Sequence, residues 1–175
     1  MENARRWSVL FAVVVMASAV VSVVTADVNE SKVRIPRNVM ELGGMVGKVT
    51  GKNIFDVYSS YNGYGCFCGI GGGGRPVDGV DRCCQAHDSC FGDAEKGVCS
   101  HAKSIYDVKY DYHSKGSTSN GNHVMVRCAP VSTYSNTGDG TCSKTVCECD
   151  KALSFCFTQQ KYNNKYRGYD RNKCK

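Results

Sequence analysis

His87 and Asp88 stand side by side in a helix-length segment that follows a cysteine-flanked, glycine-rich loop, all within Tyr64–Phe91 (YGCFCGIGGGGRPVDGVDRCCQAHDSCF). A loop of that kind can turn several backbone carbonyls toward one point. A carboxylate on a nearby helix can close the cage, and a histidine beside it can handle a proton. Oxygen cages suit calcium, and a general base next to a bound cation is a plan for metal-assisted ester hydrolysis. The plainer readings are a solvated His-Asp pair and a glycine turn or linker. The cysteines on both sides of each part weigh against them, because they fix the loop against the helix.

Cysteine spacing finds the histidine a partner. Cys83 and Cys90 are seven residues apart, two helical turns, so they share a face; Cys149 and Cys156 repeat that separation. Two antiparallel helices stapled at two levels need pairs with a constant residue-number sum, which Cys83 with Cys156 and Cys90 with Cys149 provide. His87 and Asp150 then fall between the staples on neighbouring helices. A carboxylate there would hold one ring nitrogen and leave the other to act as base. Spacing alone does not prove connectivity, since twelve cysteines allow about ten thousand pairings.

The elements that must position these residues follow from pattern. A helix from about Asp78 through Phe91 and a little beyond carries the His-Asp pair, with acidic residues suiting its first turn. A second, from about Ser143 to Gln160, carries Asp150. Ahead of both, Asn38 can cap a helix on which Val39, Leu42, Val46 and Val49 fall at helical spacing, weakened by Gly43 and Gly44. Residues 59–74 read as turns and loop, and residues 100–141 as a short hairpin flanked by loops. The expected fold is mainly α and disulfide-rich: two long antiparallel disulfide-linked helices, an N-terminal helix, a calcium-binding loop and a small β-hairpin.

Composition sets the compartment. The chain has 175 residues, one domain's length, and 12 Cys, none before position 66. Met1–Ala26 reads as a secretory signal, with Arg5 and Arg6 ahead of the apolar run Leu10–Val24; a run that long also approaches a membrane anchor. An even cysteine count in an exported, extracellular chain favours disulfides over zinc. Residues 27–37 read as a propeptide ending at Ile35-Pro36-Arg37, or as a tail that stays attached; the sequon Asn29-Glu30-Ser31 lies inside it.

Residues 38–175 carry 17 Lys and Arg against 13 Asp and Glu. The excess gathers late, at Lys161, Lys165, Arg167, Arg171, Lys173 and Lys175 against Asp170. Such charge suits an anionic lipid surface and equally a solvated tail. Trp7 is the sole tryptophan and lies in the signal, which favours anionic over neutral membranes as partners. There is no nucleic-acid-binding motif, no G-x-S-x-G elbow and no H-E-x-x-H. His101, His113 and His123 sit in polar sequence and read as solvated.

Three motifs in order, Tyr64–Gly74, Cys83-Cys84-Gln85-Ala86-His87-Asp88 and Cys147-Glu148-Cys149-Asp150, resemble those of secreted calcium-dependent phospholipases A2. The resemblance covers essentially all of residues 38–175. It implies calcium held by the main-chain carbonyls of Phe67, Gly69 and Gly71 and by both carboxylate oxygens of Asp88. It implies that His87 takes a proton from a water attacking the sn-2 ester of a glycerophospholipid, releasing a fatty acid and a lysophospholipid. Asp150 would orient His87, Tyr110 would hydrogen-bond Asp150, and the Gly69 N–H would help stabilise the oxyanion. The implied disulfides are Cys66–Cys174, Cys68–Cys84, Cys83–Cys156, Cys90–Cys149, Cys99–Cys142 and Cys128–Cys147. Val39, Leu42 and Val46, otherwise plain core, would line an acyl-chain channel opening on a membrane or micelle surface. Nothing in the sequence identifies a protein receptor.

The chain departs from the family pattern in three places. Phe91 stands where the family usually has a second tyrosine behind the histidine, Ser89 where some members carry another cysteine, and the Cys99–Cys128 segment is longer than in compact members. The competing readings are a non-enzymatic toxin or receptor-binding module on the same scaffold, and a disulfide module whose calcium is structural. Non-enzymatic members often replace the aspartate by lysine or lose the histidine; His87 and Asp88 are both present here.

Overall fold

Two long helices frame the molecule in the computed structural model, which describes residues 37–116 and 124–175. The elements run α1 (Arg37–Thr50), α2 (Ile54–Tyr61), α3 (Gly79–Lys96), β1 (Tyr112–Lys115), β2 (Met125–Cys128) and α4 (Thr137–Thr158). Short 3-10 turns at Ile105–Asp107, Val131–Thr133, Asn164–Tyr166 and Arg171–Lys173 link or follow them. The secretory signal, nearly all of the proposed propeptide, and His123 lie outside the described residues. Among the described residues no helix is long and apolar enough to cross a membrane.

Helix α3 starts where Asp78 caps it, its carboxylate accepting from the Asp81 N–H at 3.0 Å, and stops at Gly97. Cys83–Cys156 and Cys90–Cys149 join α3 to α4, and their pairing makes the two helices antiparallel. Helix α1 packs on α4 and α2, burying Met45, Val46 and Val49. Strands β1 and β2 pair antiparallel, with Tyr112 opposite Cys128 and Lys115 opposite Met125. Apolar side chains form two clusters, one holding Met45, Phe91, Ile105, Tyr110 and Val146, the other Val46, Val57, Tyr64, Phe67, Leu153 and Phe157. Six disulfides tie these layers together, the remaining four being Cys66–Cys174, Cys68–Cys84, Cys99–Cys142 and Cys128–Cys147. Such cross-links compensate for a small core by restricting the unfolded chain.

Three local expectations need correction. Asn38 lies inside α1, which already includes Arg37, and so is not its cap. Residues 59–61 are helical: Asn53 caps α2 by accepting from the Asp56 N–H at 2.9 Å, and Val57 and Tyr61 turn inward from it. Helix α4 begins at Thr137 rather than Ser143, because Asn136 accepts from the Gly138 N–H at 2.9 Å and starts it early. Gly138 and Gly140 read as loop residues in sequence. At Gly140, however, a Cβ would lie 2.7 Å from the Val131 carbonyl oxygen, so the glycine serves close packing inside a helix.

Candidate active site

The α3–α4 pairing puts His87 against Asp150, between the two inter-helix disulfides. His87 Nε2 and Asp150 Oδ1 are 2.6 Å apart, with the aspartate side chain 1% exposed and the histidine 10%. The Tyr110 hydroxyl donates to Asp150 Oδ2 at 2.5 Å, so the two carboxylate oxygens serve two different partners. Burial, the Asp150 charge and that hydrogen bond push the tyrosine's ionisation well above its ordinary range, which keeps the hydroxyl a donor. His87 Nδ1 makes no hydrogen bond among the described residues, and this nitrogen is left for water. Phe91 covers one side of the imidazole with ring centroids 4.1 Å apart, and supplies no polar group to Asp150.

One residue on, the half-buried Asp88 carboxylate accepts no hydrogen bond among the described residues. Burial raises its pKa, opposed by His87 and Arg171 and reinforced by Asp81. The loop before α3 meets it. A Cβ at Gly72 would lie 2.7 Å from the Phe67 carbonyl oxygen and 3.0 Å from Asp88 Oδ2, so those two oxygens flank one small space that a side chain would fill. The carbonyls of Phe67, Gly69 and Gly71 accept no hydrogen bond among the described residues, and the Gly69 N–H donates none. Gly69 and Gly71 have φ of 105° and 79°, backbone open to glycine. A donor set of unpaired carbonyl oxygens and one carboxylate fits a hard cation such as calcium. A cleft of about 390 Å³ opens over Phe67, Gly72 and Asp88, rimmed by Gln85, Ser89, Asp93 and Lys96.

Asp81 shapes this loop from beneath. It is fully buried, and its carboxylate accepts from the Cys66 and Phe67 N–H groups at 2.8 Å each and from the Val77 N–H at 2.9 Å. Sequence reasoning assigned the acidic first turn of α3 to the helix dipole and missed this role. The spacing Asp78-x-x-Asp81 was the available signal, one residue capping and the other turning back to the loop. Arg171, counted with the basic tail, instead bonds the Cys68 and Ile70 carbonyls. Its place three residues before Cys174, the partner of Cys66, was the clue.

Of the three channel candidates, Val46 is fully packed at 1% exposure, while Val39 and Leu42 are half-buried. His113 is exposed, and His101 is exposed with Nε2 2.9 Å from Asp139 Oδ1.

The family model described as phospholipase A2 matches residues 39–167. The group IIF secretory phospholipase A2 of Mus musculus is 33% identical, across 91% of this chain and 77% of its own length. Phospholipase A2 AP-PLA2-II of Acanthaster planci is 34% identical over 94% of this chain and 98% of that protein. The basic phospholipase A2 caudoxin of Bitis caudalis is 38% identical over 78% and 94%.

Proposed function

This chain belongs to the phospholipase A2 family, and we propose that it is a secreted, calcium-dependent enzyme cleaving the sn-2 ester of glycerophospholipids at an anionic lipid surface. Residues 38–175 would be the mature enzyme, released from an export signal at 1–26 and a propeptide at 27–37.

One observation carries the reading: a histidine held through Nε2 by a carboxylate, one residue from an aspartate, beside loop carbonyls, with the other ring nitrogen, that aspartate and those carbonyls all without hydrogen-bond partners among the described residues. His87 Nδ1 takes the proton of the attacking water and returns it to the departing alkoxide. Asp150 keeps the ring oriented and offsets the imidazolium charge as it forms, while Tyr110 holds Asp150 in place. The Gly69 N–H offers a donor to the developing oxyanion. Phe67, Gly69 and Gly71 would hold calcium through their carbonyls and Asp88 through its carboxylate. Bound there, calcium supplies positive charge to polarise the ester carbonyl and to anchor the phosphate.

The test is fatty-acid release from oxidised 38–175 on anionic phospholipid vesicles, first with calcium and then with excess chelator. We expect calcium-dependent release from the sn-2 position. His87→Gln should abolish turnover while calcium binding survives, and Asp88→Lys should lose both. Turnover at the wild-type rate in either variant removes this mechanism. Absence of release from oxidised, calcium-bound protein favours the binding-module reading.

A further inference from the structure

The loop carbonyls alternate in a way that points to a residue far away in sequence. Cys66 O accepts from the Gly73 N–H at 3.1 Å, and Cys68 O accepts from the Gly63 N–H at 3.0 Å and from Arg171 Nη2 at 3.1 Å. Ile70 O accepts from Arg171 Nη1 at 2.6 Å. The carbonyls at Phe67 and Gly69, between them, and at Gly71, just beyond Ile70, accept no hydrogen bond among the described residues.

We propose that Arg171 is a positioning residue for the cation loop, its guanidinium taking the Cys68 and Ile70 carbonyls so that their neighbours at Phe67, Gly69 and Gly71 stay unpaired and set before a cation arrives. This rests on the calcium reading given above.

A guanidinium suits the task because its planar fork spans two acceptors at once, which an ammonium on a flexible stem does not. The tail is built to present it. Arg171 opens a 3-10 turn in which Asp170 accepts from the Asn172 N–H at 3.1 Å, and the turn ends against Cys174, disulfide-bonded to Cys66 at the start of the loop. A Cβ at Gly69 would lie 3.3 Å from Arg171 Nη2, so the guanidinium lies close against the loop backbone. A second positive charge near a cation site is repulsive, which gives the proposal a clear opponent. If repulsion outweighs geometry, removing Arg171 tightens calcium; if geometry wins, removal weakens it.

Calorimetric titration of the oxidised, lipid-free protein with calcium decides between them. Arg171→Met is expected to weaken calcium binding by about tenfold or more, the usual scale for residues that orient metal ligands. Arg171→Lys keeps the charge but reaches one carbonyl, and is expected to recover only part of the loss. In calcium-free Arg171→Met, the Cys68 and Gly73 amides, which close the loop onto Tyr64 O and Cys66 O, should exchange faster. Unchanged or tighter calcium binding in Arg171→Met overturns the proposal, as does full recovery by Arg171→Lys. Should Arg171→Met fail to oxidise to the native pairing, Arg171→Lys decides alone, and wild-type affinity there overturns the proposal. A wild-type protein that binds no calcium overturns the calcium reading as well, whereas wild-type affinity in both variants overturns the Arg171 assignment alone.

Discussion

Asp150 divides its oxygens between an imidazole and a phenol, and the phenol's raised ionisation makes it a steady donor across neutral pH. Removing that hydroxyl leaves the carboxylate oxygen buried and unpaired. Tyr110→Phe should therefore lower kcat by about tenfold, the effect of one hydrogen bond to a charged group, while calorimetry finds calcium binding unchanged. Glu41 shows the opposite situation. Its Oε2 is buried without a partner among the described residues, and burial raises its pKa, opposed by a hydrogen bond with its own backbone and by Lys109, with the Asp150 and Asp111 charges adding. A raised carboxyl pKa means that the fold disfavours the ionised form. The cost is full above the raised value and absent below the ordinary 4.5. Glu41→Gln should thus raise the melting temperature measured by calorimetry at pH 7, with the gain fading as the medium is acidified. His87 and Asp150 were legible as a pair from helical spacing. Glu41 was not, because nothing local marks which side of α1 meets Asp150.

At the scale of elements, the loop before α3 holds its shape through polar contacts from outside its own sequence. Asp81 takes three backbone N–H groups from below, and Arg171 takes two carbonyls from beside it. Asp81→Asn keeps the size but trades one acceptor for a donor facing N–H groups. It should cost about 3 kcal/mol in urea unfolding, with the loop amides losing exchange protection first. Helices α3 and α4 were readable because each repeats cysteine at seven residues. Helix α2 escaped because its eight residues are too few for periodicity to stand out, and its signal was the Asn53–Asp56 cap. The early start of α4 escaped because glycines that serve packing look like glycines that serve a turn.

For the whole molecule, covalent cross-links are expected to contribute more to stability than a bound cation would. Six disulfides bridge separations of up to 108 residues, each restricting the unfolded chain by about 3 kcal/mol. Excess chelator should lower the melting temperature by only a few degrees, as expected for a ligand lost by mass action. Reduction should abolish cooperative melting, and a chelated protein that melts like the reduced one would contradict this ranking. Met40, Phe55, Tyr58 and Ile70 are all more than half exposed, on α1, α2 and the loop before α3. By itself the sequence determined the helical and disulfide-rich class, the helix pair bearing His87 and Asp150, and the chemistry that pair can do. Those features depend on residue type and on spacing within one element, which the chain order records directly. Only the tertiary structure decided that Asp81 turns under the loop and that Arg171 leaves the basic tail for two carbonyls. Both are contacts between residues distant in the chain, set by which donors and acceptors could find one another once the helices and disulfides had closed.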